Sequence, residues 1–276
     1  MNSVGEISQL LIYPVKSCRG IALTHVELTQ TGFAQDREWM VTDPNGEFIT
    51  QREEPRLALV STQIHDEYLE LQAPGMESLR LPWMLKERSA LRSVRVWSDS
   101  VEAIDCGEES STWWSRFLGR TAHLVRWNPA VRRLSSLQWT QGIEAANAFS
   151  DGFPILVVSE ASLEDLNARL HPAPPLSMDR FRPNLVLKGI PAYCEDTSTR
   201  LKIADIEIRI VKPCARCPIT TTDQDTAIVN GIEPLRTLAT YRRNSSVSGV
   251  IFGQNAILVQ GIGQQLRLGQ KVEMQS

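Results

Sequence analysis

The sequence of 276 residues contains no run approaching the roughly 18 consecutive apolar residues that span a bilayer, which argues against a membrane-crossing helix. Its first residues, MNSVGEISQLLIYPVKS, lack the cationic start, long apolar stretch and small-residue cleavage site of a secretory signal. Positive charge is not in excess. With 29 Lys and Arg against 32 Asp and Glu, the net charge is -3, so no global basic field serves nucleic acid and any anion site must be local. Neither GxGxxG nor GxxxxGK[ST] occurs, which leaves the usual dinucleotide and P-loop sites unsupported. The five cysteines (Cys18, Cys106, Cys194, Cys214, Cys217) are odd in number and mostly far apart, which suits a reducing compartment, expected to be the cytoplasm. Repeats and low-complexity tracts are missing too. What remains is an ordinary globular composition, 42% hydrophobic and 22% charged, with length enough for at least one sizeable core.

The first half reads as β-rich, with apolar or alternating segments at 7–15, 22–29, 38–50, 56–64 and 68–72. Pro44, Asn45 and Gly46 predict one hairpin turn, and Ser98, Asp99 and Ser100 predict another within 93–105. Strands this closely spaced suggest a small barrel or curled sheet. One helix is expected after Ser110 and Ser111 as caps, because Trp113 with Phe117 and Trp114 with Leu118 are apolar pairs at i,i+4. From 125 to 148 the periodicity weakens, as in a crossover or lid. A strand at 154–158 then leads into a helix over 159–170, capped by Ser159 or Ser162, with Asp165 completing a capping box from Ser162. A proline-rich loop fills 171–178, and strands resume at 185–189, 201–212, 250–260 and 265–274.

The most informative segment is VKPCARCPITTTD, 211–223, which leaves an alternating strand and presents Cys214 and Cys217 two residues apart. A thioredoxin-like pair needs its first cysteine at a helix N-terminus, whereas the β-branched residues after Pro218 favour extended chain. A structural zinc site needs four ligands, and no second CxxC or HxxxH exists among the four histidines. A single thiolate on a soft, redox-active metal, beside the cation Arg216 and with positions open for substrate, is a third reading, and two small buried hydrophobes are a fourth. Further cations stand beside small polar residues in non-repetitive contexts: Lys16 and Ser17 in YPVKSCRG, Arg37 in QDREW, and Arg182 with Asn184 in DRFRPN. Such cations after strand ends are what an anionic, phosphate-bearing ligand requires, each charge-assisted bond being worth about 1.5 to 3 kcal/mol.

Taken with LLIYPVKSCRG (10–20), REEPRLALVS (52–61), ILVVSEASLEDLNARL (155–170), FRPNLVLKG (181–189) and FGQNAILV (252–259), these stretches resemble the MOSC superfamily, in particular its amidoxime-reducing branch. The resemblance runs nearly the whole chain in family order. It implies a mostly β fold with some α: an N-terminal MOSC β-barrel-like domain over 1–124, and a MOSC β-barrel domain with peripheral helices over 125–276 that includes the crossover 125–148. It also implies a pterin-bound molybdenum, the molybdenum-molybdopterin cofactor, between them. Carried over by position, the metal-binding cysteine is Cys217, and the pterin and phosphate contacts are Lys16, Ser17, Arg37, Arg182, Asn184 and Arg216. This chain departs from relatives at Gly152, Phe153, Ala215 and Asn255.

The activity so implied is two-electron oxygen transfer at molybdenum from N-hydroxylated bases and amidoximes, with Asp223 a candidate for proton delivery. A cofactor-carrier or persulfide-transfer protein is the alternative within the superfamily. The chain ends at Ser276 without the Cx4Cx2C run of a fused ferredoxin, so electrons are expected from a separate ferredoxin, flavoprotein or cytochrome b5-type protein. No nucleic-acid or membrane partner is expected, nor a counterpart of the eukaryotic relatives' membrane anchor.

Overall fold

The computed structural model describes residues 3–84, 89–170, 172–229 and 231–276; His171, the first residue of the proline-rich loop, lies outside the described residues. Seven strands close into a barrel in the order Ser3–Ile12, Leu185–Lys188, Ile155–Ser159, Ile251–Gln260, Ile206–Ala215, Arg200–Ile203 and Lys271–Gln275, which pairs back onto Ser3–Ile12. The barrel therefore takes its first strand from one end of the chain and six from the other half. All neighbours are antiparallel except Ile155–Ser159 with Leu185–Lys188, where the helix Glu160–Leu170 makes the crossover that a parallel pair requires.

The apolar run 154–158 shows why this strand must be central. Ile155 and Val157 point into the barrel among Ile7, Leu185, Ile208 and Ala256. Leu156 and Val158 point outward and are buried as well, beneath Leu166, Leu170, Phe181 and Phe252. A strand covered on both faces reads as continuous hydrophobicity, each such side chain contributing about 1.5 to 3 kcal/mol. Ser159 caps the helix that follows: its hydroxyl accepts from the Ser162 amide at 3.1 Å. Asp165 does not complete a capping box, because its carboxylate is engaged by Arg169 and the Tyr193 hydroxyl.

While His25–Thr29 pairs with Gly32–Phe33 and Gln265–Arg267, most of the remaining N-terminal residues build a four-stranded sheet, ordered Trp39–Thr42, His123–Arg126, Asp99–Asp105, Leu91–Val96, and a three-stranded one, Ser61–Ile64, Tyr68–Gln72, Leu79–Pro82. The helix Glu108–Leu118 buries Trp113, Trp114, Phe117 and Leu118 between them, the spacing that predicted it. It begins earlier than expected: Gly107, with φ 90, is the cap, and the Ser110 and Ser111 hydroxyls donate back to the Gly107 carbonyl.

Several expected β elements differ: 22–29 splits into Ile21–Leu23 and His25–Thr29, 201–212 into Arg200–Ile203 and Ile206–Ala215, and 265–274 into Gln265–Arg267 and Lys271–Gln275, of which only the second joins the barrel. Residues Pro55–Leu59 form a 3-10 turn, and the strand begins only at Ser61. Pro55 presets φ at the first helical position, and a short turn buries both Leu57 and Ala58, which alternation cannot. In the second hairpin Val96 pairs with Asp99, so the turn is Trp97-Ser98 alone, with Trp97 at φ 57. The first hairpin follows the sequence: the Gly46 amide donates to the Asp43 carbonyl, and a Cβ on Gly46 would stand 2.6 Å from the Ser93 carbonyl oxygen. Among the described residues no helix is long and apolar enough to cross a membrane.

Candidate functional site

The strand Ile206–Ala215 runs out of the barrel at the Ala215–Ile251 pair, and Pro218 then starts a 3-10 turn, Pro218–Thr221, with Cys217 as its extended cap. This exit places the half-buried Cys214 and Cys217 on the wall of one pocket. Cys214 stays within the strand, so the helix dipole that activates a thioredoxin-like pair is not available to it. Among the described residues no three of His, Cys, Asp and Glu gather as a metal cage, which removes the structural zinc reading. The five cysteines are all free.

The same pocket is lined by Lys16, Ser17, Arg37, Arg182, Asn184 and Arg216, residues spread over 200 positions that the fold brings together. The segment after the first strand meets QDREW through a Val15–Trp39 bridge, a Lys16 amide bond to the Trp39 carbonyl and an Arg37 amide bond to the Tyr13 carbonyl. Arg182 closes the 3-10 turn Met178–Phe181. Ser17, Arg37 and Arg182 adopt φ of 67, 50 and 54, a left-handed backbone that costs a non-glycine residue about 1 kcal/mol or more and persists only where the surroundings hold it.

The cations differ in how they are satisfied. Arg37 donates to the Asp36 carboxylate at 2.5 Å, to the Asn184 side-chain oxygen at 3.0 Å and to the Arg182 carbonyl at 3.1 Å, while stacking on Tyr13. Asn184 is equally committed: its side-chain oxygen also accepts from the Leu156 amide, and its nitrogen donates to the Leu11 carbonyl. It is a positioning residue that holds Arg37 to the barrel. Burial raises the Asp36 pKa, and the Arg37 guanidinium works against that rise. Lys16 donates to the Phe149 carbonyl and to Asp151. Burial lowers the Lys16 pKa while Asp151 opposes it; for Asp151 itself, burial acts upward, but the ammonium holds the carboxyl below the usual range.

Arg182 and Arg216 are different. Arg182 stacks on Tyr13, its Nη2 is buried without a hydrogen-bond partner, and burial lowers its pKa. Arg216 donates to the Cys214 sulfur at 3.0 Å and to the Phe181 carbonyl at 2.8 Å, leaving its buried Nε unpartnered. A buried donor left unpaired costs about 1 to 3 kcal/mol, so each of these two guanidiniums carries a nitrogen that the fold leaves unsatisfied.

Asp223 is not brought to the pocket. Arg180 binds one of its oxygens at 2.8 Å, and the Thr226 hydroxyl and the amides of Asp225 and Thr226 donate to the other. These bonds, the Thr226 hydroxyl first, hold its pKa below the usual carboxylate value, so it fixes the loop after the cysteines as an anion rather than carrying a proton. Polar pocket residues unassigned from sequence are Thr50, Arg52, Ser150 and Asp151, with Asp36 directly behind Arg37. Their signal was adjacency: Asp36 lies in QDREW, Arg52 in REEP, and Asp151 beside the departing Gly152 and Phe153. Gly152, Phe153, Ala215 and Asn255, the four positions at which departures from relatives were expected, all line the pocket.

Fold and pocket define a β-barrel protein with a cation-lined pocket beside a strand-end thiol. Two family models match the chain, the MOSC N-terminal beta barrel domain over residues 4–121 and the MOSC domain over residues 144–273. Mitochondrial amidoxime reducing component 2 of Rattus norvegicus is 39% identical over 253 residues, covering 88% of this chain and 74% of that protein. Mitochondrial amidoxime-reducing component 1 is 38% identical in Mus musculus and 36% in Homo sapiens, each over 267 residues and 94% of this chain, with 78% and 79% of those proteins covered. The chain belongs to the MOSC-domain family of amidoxime-reducing components.

Proposed function

We propose that this protein is a molybdenum-cofactor-dependent reductase of N-hydroxylated compounds, amidoximes and N-hydroxylated bases among them, fed by a separate electron-transfer protein of the ferredoxin, flavoprotein or cytochrome b5 type. The observation that carries the reading is the pair of buried, unpartnered guanidinium donors of Arg182 and Arg216 in the pocket that also holds Cys217. Donors left open by the protein suit an anionic pterin phosphate, and a half-buried thiol suits one protein ligand to a metal whose other ligands come with the cofactor. The residues present fit the group.

When bound, the cofactor supplies the redox centre at which an N–O bond is reduced. Overall, that bond breaks, two electrons and two protons are taken up, and the amine or amidine leaves with water. The chain's part is to hold and orient. Cys217 would ligate the metal; Arg182, Arg216 and Ser17 would hold the anionic portion; Arg37, locked by Asp36 and Asn184, shapes the floor. Lys16 Nζ is held between Asp151 and the Phe149 carbonyl at the pocket wall. Five free cysteines support a reducing compartment, the cytoplasm.

Metal analysis of protein made in a cofactor-competent host tests the reading. Stoichiometric molybdenum and reduction of benzamidoxime by a chemically reduced dye are expected, both lost in Cys217→Ala. Cyanide-labile sulfur on Cys217 with no turnover selects the carrier or sulfur-transfer alternative instead.

A further inference from the structure

Trp97 is a large aromatic side chain left 44% exposed at the tip of the hairpin Leu91–Val96 and Asp99–Asp105. It occupies the first position of a two-residue turn at φ 57, where turns of this kind ordinarily place glycine. A tryptophan there is strained, and contacts on its ring hold it in place. The Arg52 guanidinium lies 4.5 Å from the ring centroid, the Phe48 ring meets it edge-on at 5.3 Å, and the indole N–H donates to Asp151 at 3.3 Å. Two of these partners, Arg52 and Asp151, line the cofactor pocket. Trp97, Phe48 and Arg52 also line an adjoining cavity of about 620 Å³, so Arg52 belongs to both.

We propose that this adjoining cavity is the subsite for the non-reacting part of the substrate and that Trp97 is a substrate-positioning residue. It selects N-hydroxylated compounds whose amidoxime or hydroxylamine is carried on an aryl or heteroaryl ring. The proposal rests on the reductase reading and deepens it. The cavity has the volume of a small-molecule site, and its wall offers Trp97, Phe48 and the guanidinium plane of Arg52, surfaces that favour a planar π-system over an alkyl chain. Asp43, Glu47, Glu53 and Arg120 ring the same cavity, a polar rim suited to a small heterocycle rather than to a lipid-like chain. Because Asp151 binds both the indole N–H and Lys16 Nζ, the ring is held in fixed relation to the pocket in which the N–OH group must react.

The test is calorimetric binding of benzamidoxime and acetamidoxime to the holoenzyme with no electron donor present, so that neither compound turns over. Wild-type protein prefers the aryl compound; Trp97→Ala lowers that preference about tenfold, as expected for loss of an aromatic stacking partner with its buried area. Trp97→Leu, which keeps apolar bulk without a π-face, loses it likewise, and Trp97→Phe keeps most of it. In dye-driven turnover the aryl-specific loss falls on KM rather than on kcat. An aryl preference unchanged in both Trp97→Ala and Trp97→Leu, or absent from the wild type, overturns the subsite. Wild-type protein that binds both compounds and reduces neither overturns the reductase reading, while the binding ratios still decide the role of Trp97.

Discussion

Arg37 and Arg182 enter the same pocket, stack on the same tyrosine and share a left-handed backbone, yet they do opposite work. Arg37 has its charge matched by Asp36 and its donors filled by Asn184 and the Arg182 carbonyl. Arg182 has a buried nitrogen that nothing in the protein satisfies. Residue type and position in a pocket therefore do not distinguish a scaffold arginine from a ligand-binding one; the account of its hydrogen bonds does. A guanidinium saturated by the fold contributes stability to the empty protein, and one left open contributes only when a ligand supplies the acceptors.

Substituting each arginine separates the two roles. Arg37→Met strands the buried Asp36 carboxylate and is expected to cost about 3 to 5 kcal/mol in the cofactor-free protein, read by denaturant unfolding. Arg182→Met removes an unsatisfied donor along with a stacking contact, so the cofactor-free protein should change by no more than about 1 kcal/mol. Its effect falls instead on the holoprotein, where molybdenum retention through dialysis should weaken by about 10- to 100-fold. Equal destabilisation of the empty protein by both changes would erase the distinction.

The cations and the pair Cys214 and Cys217, which the fold gathers on one pocket, stood out in the sequence because they follow or precede strand ends in non-repetitive contexts, whereas the choice of Cys217 over Cys214 came only from the family resemblance. The roles within the set did not stand out. Nothing in DRFRPN separates Asn184, consumed by Arg37 and the barrel backbone, from Arg182, left open, since that depends on partners up to 173 residues away. Strand spacing pointed to a small barrel or curled sheet, the MOSC β-barrel architecture came from the family resemblance, and the helix Glu108–Leu118 followed from the Trp113–Phe117 register. Misreadings cluster where local chemistry competes: Pro55 turned an apolar segment into a 3-10 turn, and Trp97 took a turn position that propensity assigns to other residues. The role expected of Asp223 rested on nearness in sequence alone, and the Asx-like turn with Thr226 carries its side chain elsewhere.

Glu195 sharpens the criterion, since it too has a buried atom, Oε2, without a partner, but lines none of the cavities described. Its Oε1 accepts from the Ser162 hydroxyl and the Ser159 amide, tying the short helix Cys194–Thr197 to the cap of Glu160–Leu170. Burial raises the Glu195 pKa against the pull of the Ser162 bond, so the folded state retains a proton that the unfolded chain releases. That contribution to stability is full below the ordinary glutamate pKa and is lost as pH rises through the raised folded value. Thermal unfolding of wild type should decline over that window, and Glu195→Gln, neutral throughout, should flatten the decline. A parallel pH dependence in both proteins would show that the carboxyl ionises without cost.

The smallest effect is expected at Asp223, where a cation is satisfied outside the pocket. Its pKa is lowered, chiefly by the Thr226 hydroxyl, so its contribution is present above the unfolded aspartate pKa and fades as pH falls through the lower folded value. The carboxylate is partly exposed, and its pair with Arg180 is screened by solvent. Asp223→Asn keeps an oxygen able to accept from Thr226, and Arg180 retains the Thr221 carbonyl, so the loss at neutral pH should stay below about 1 kcal/mol. The pH profile of benzamidoxime reduction should keep its shape, because a carboxylate held as an anion by four donors and turned from the pocket does not gate proton uptake. A profile whose acid limb moves in Asp223→Asn would return this residue to the chemistry and show that proximity along the chain had outweighed the geometry of its hydrogen bonds.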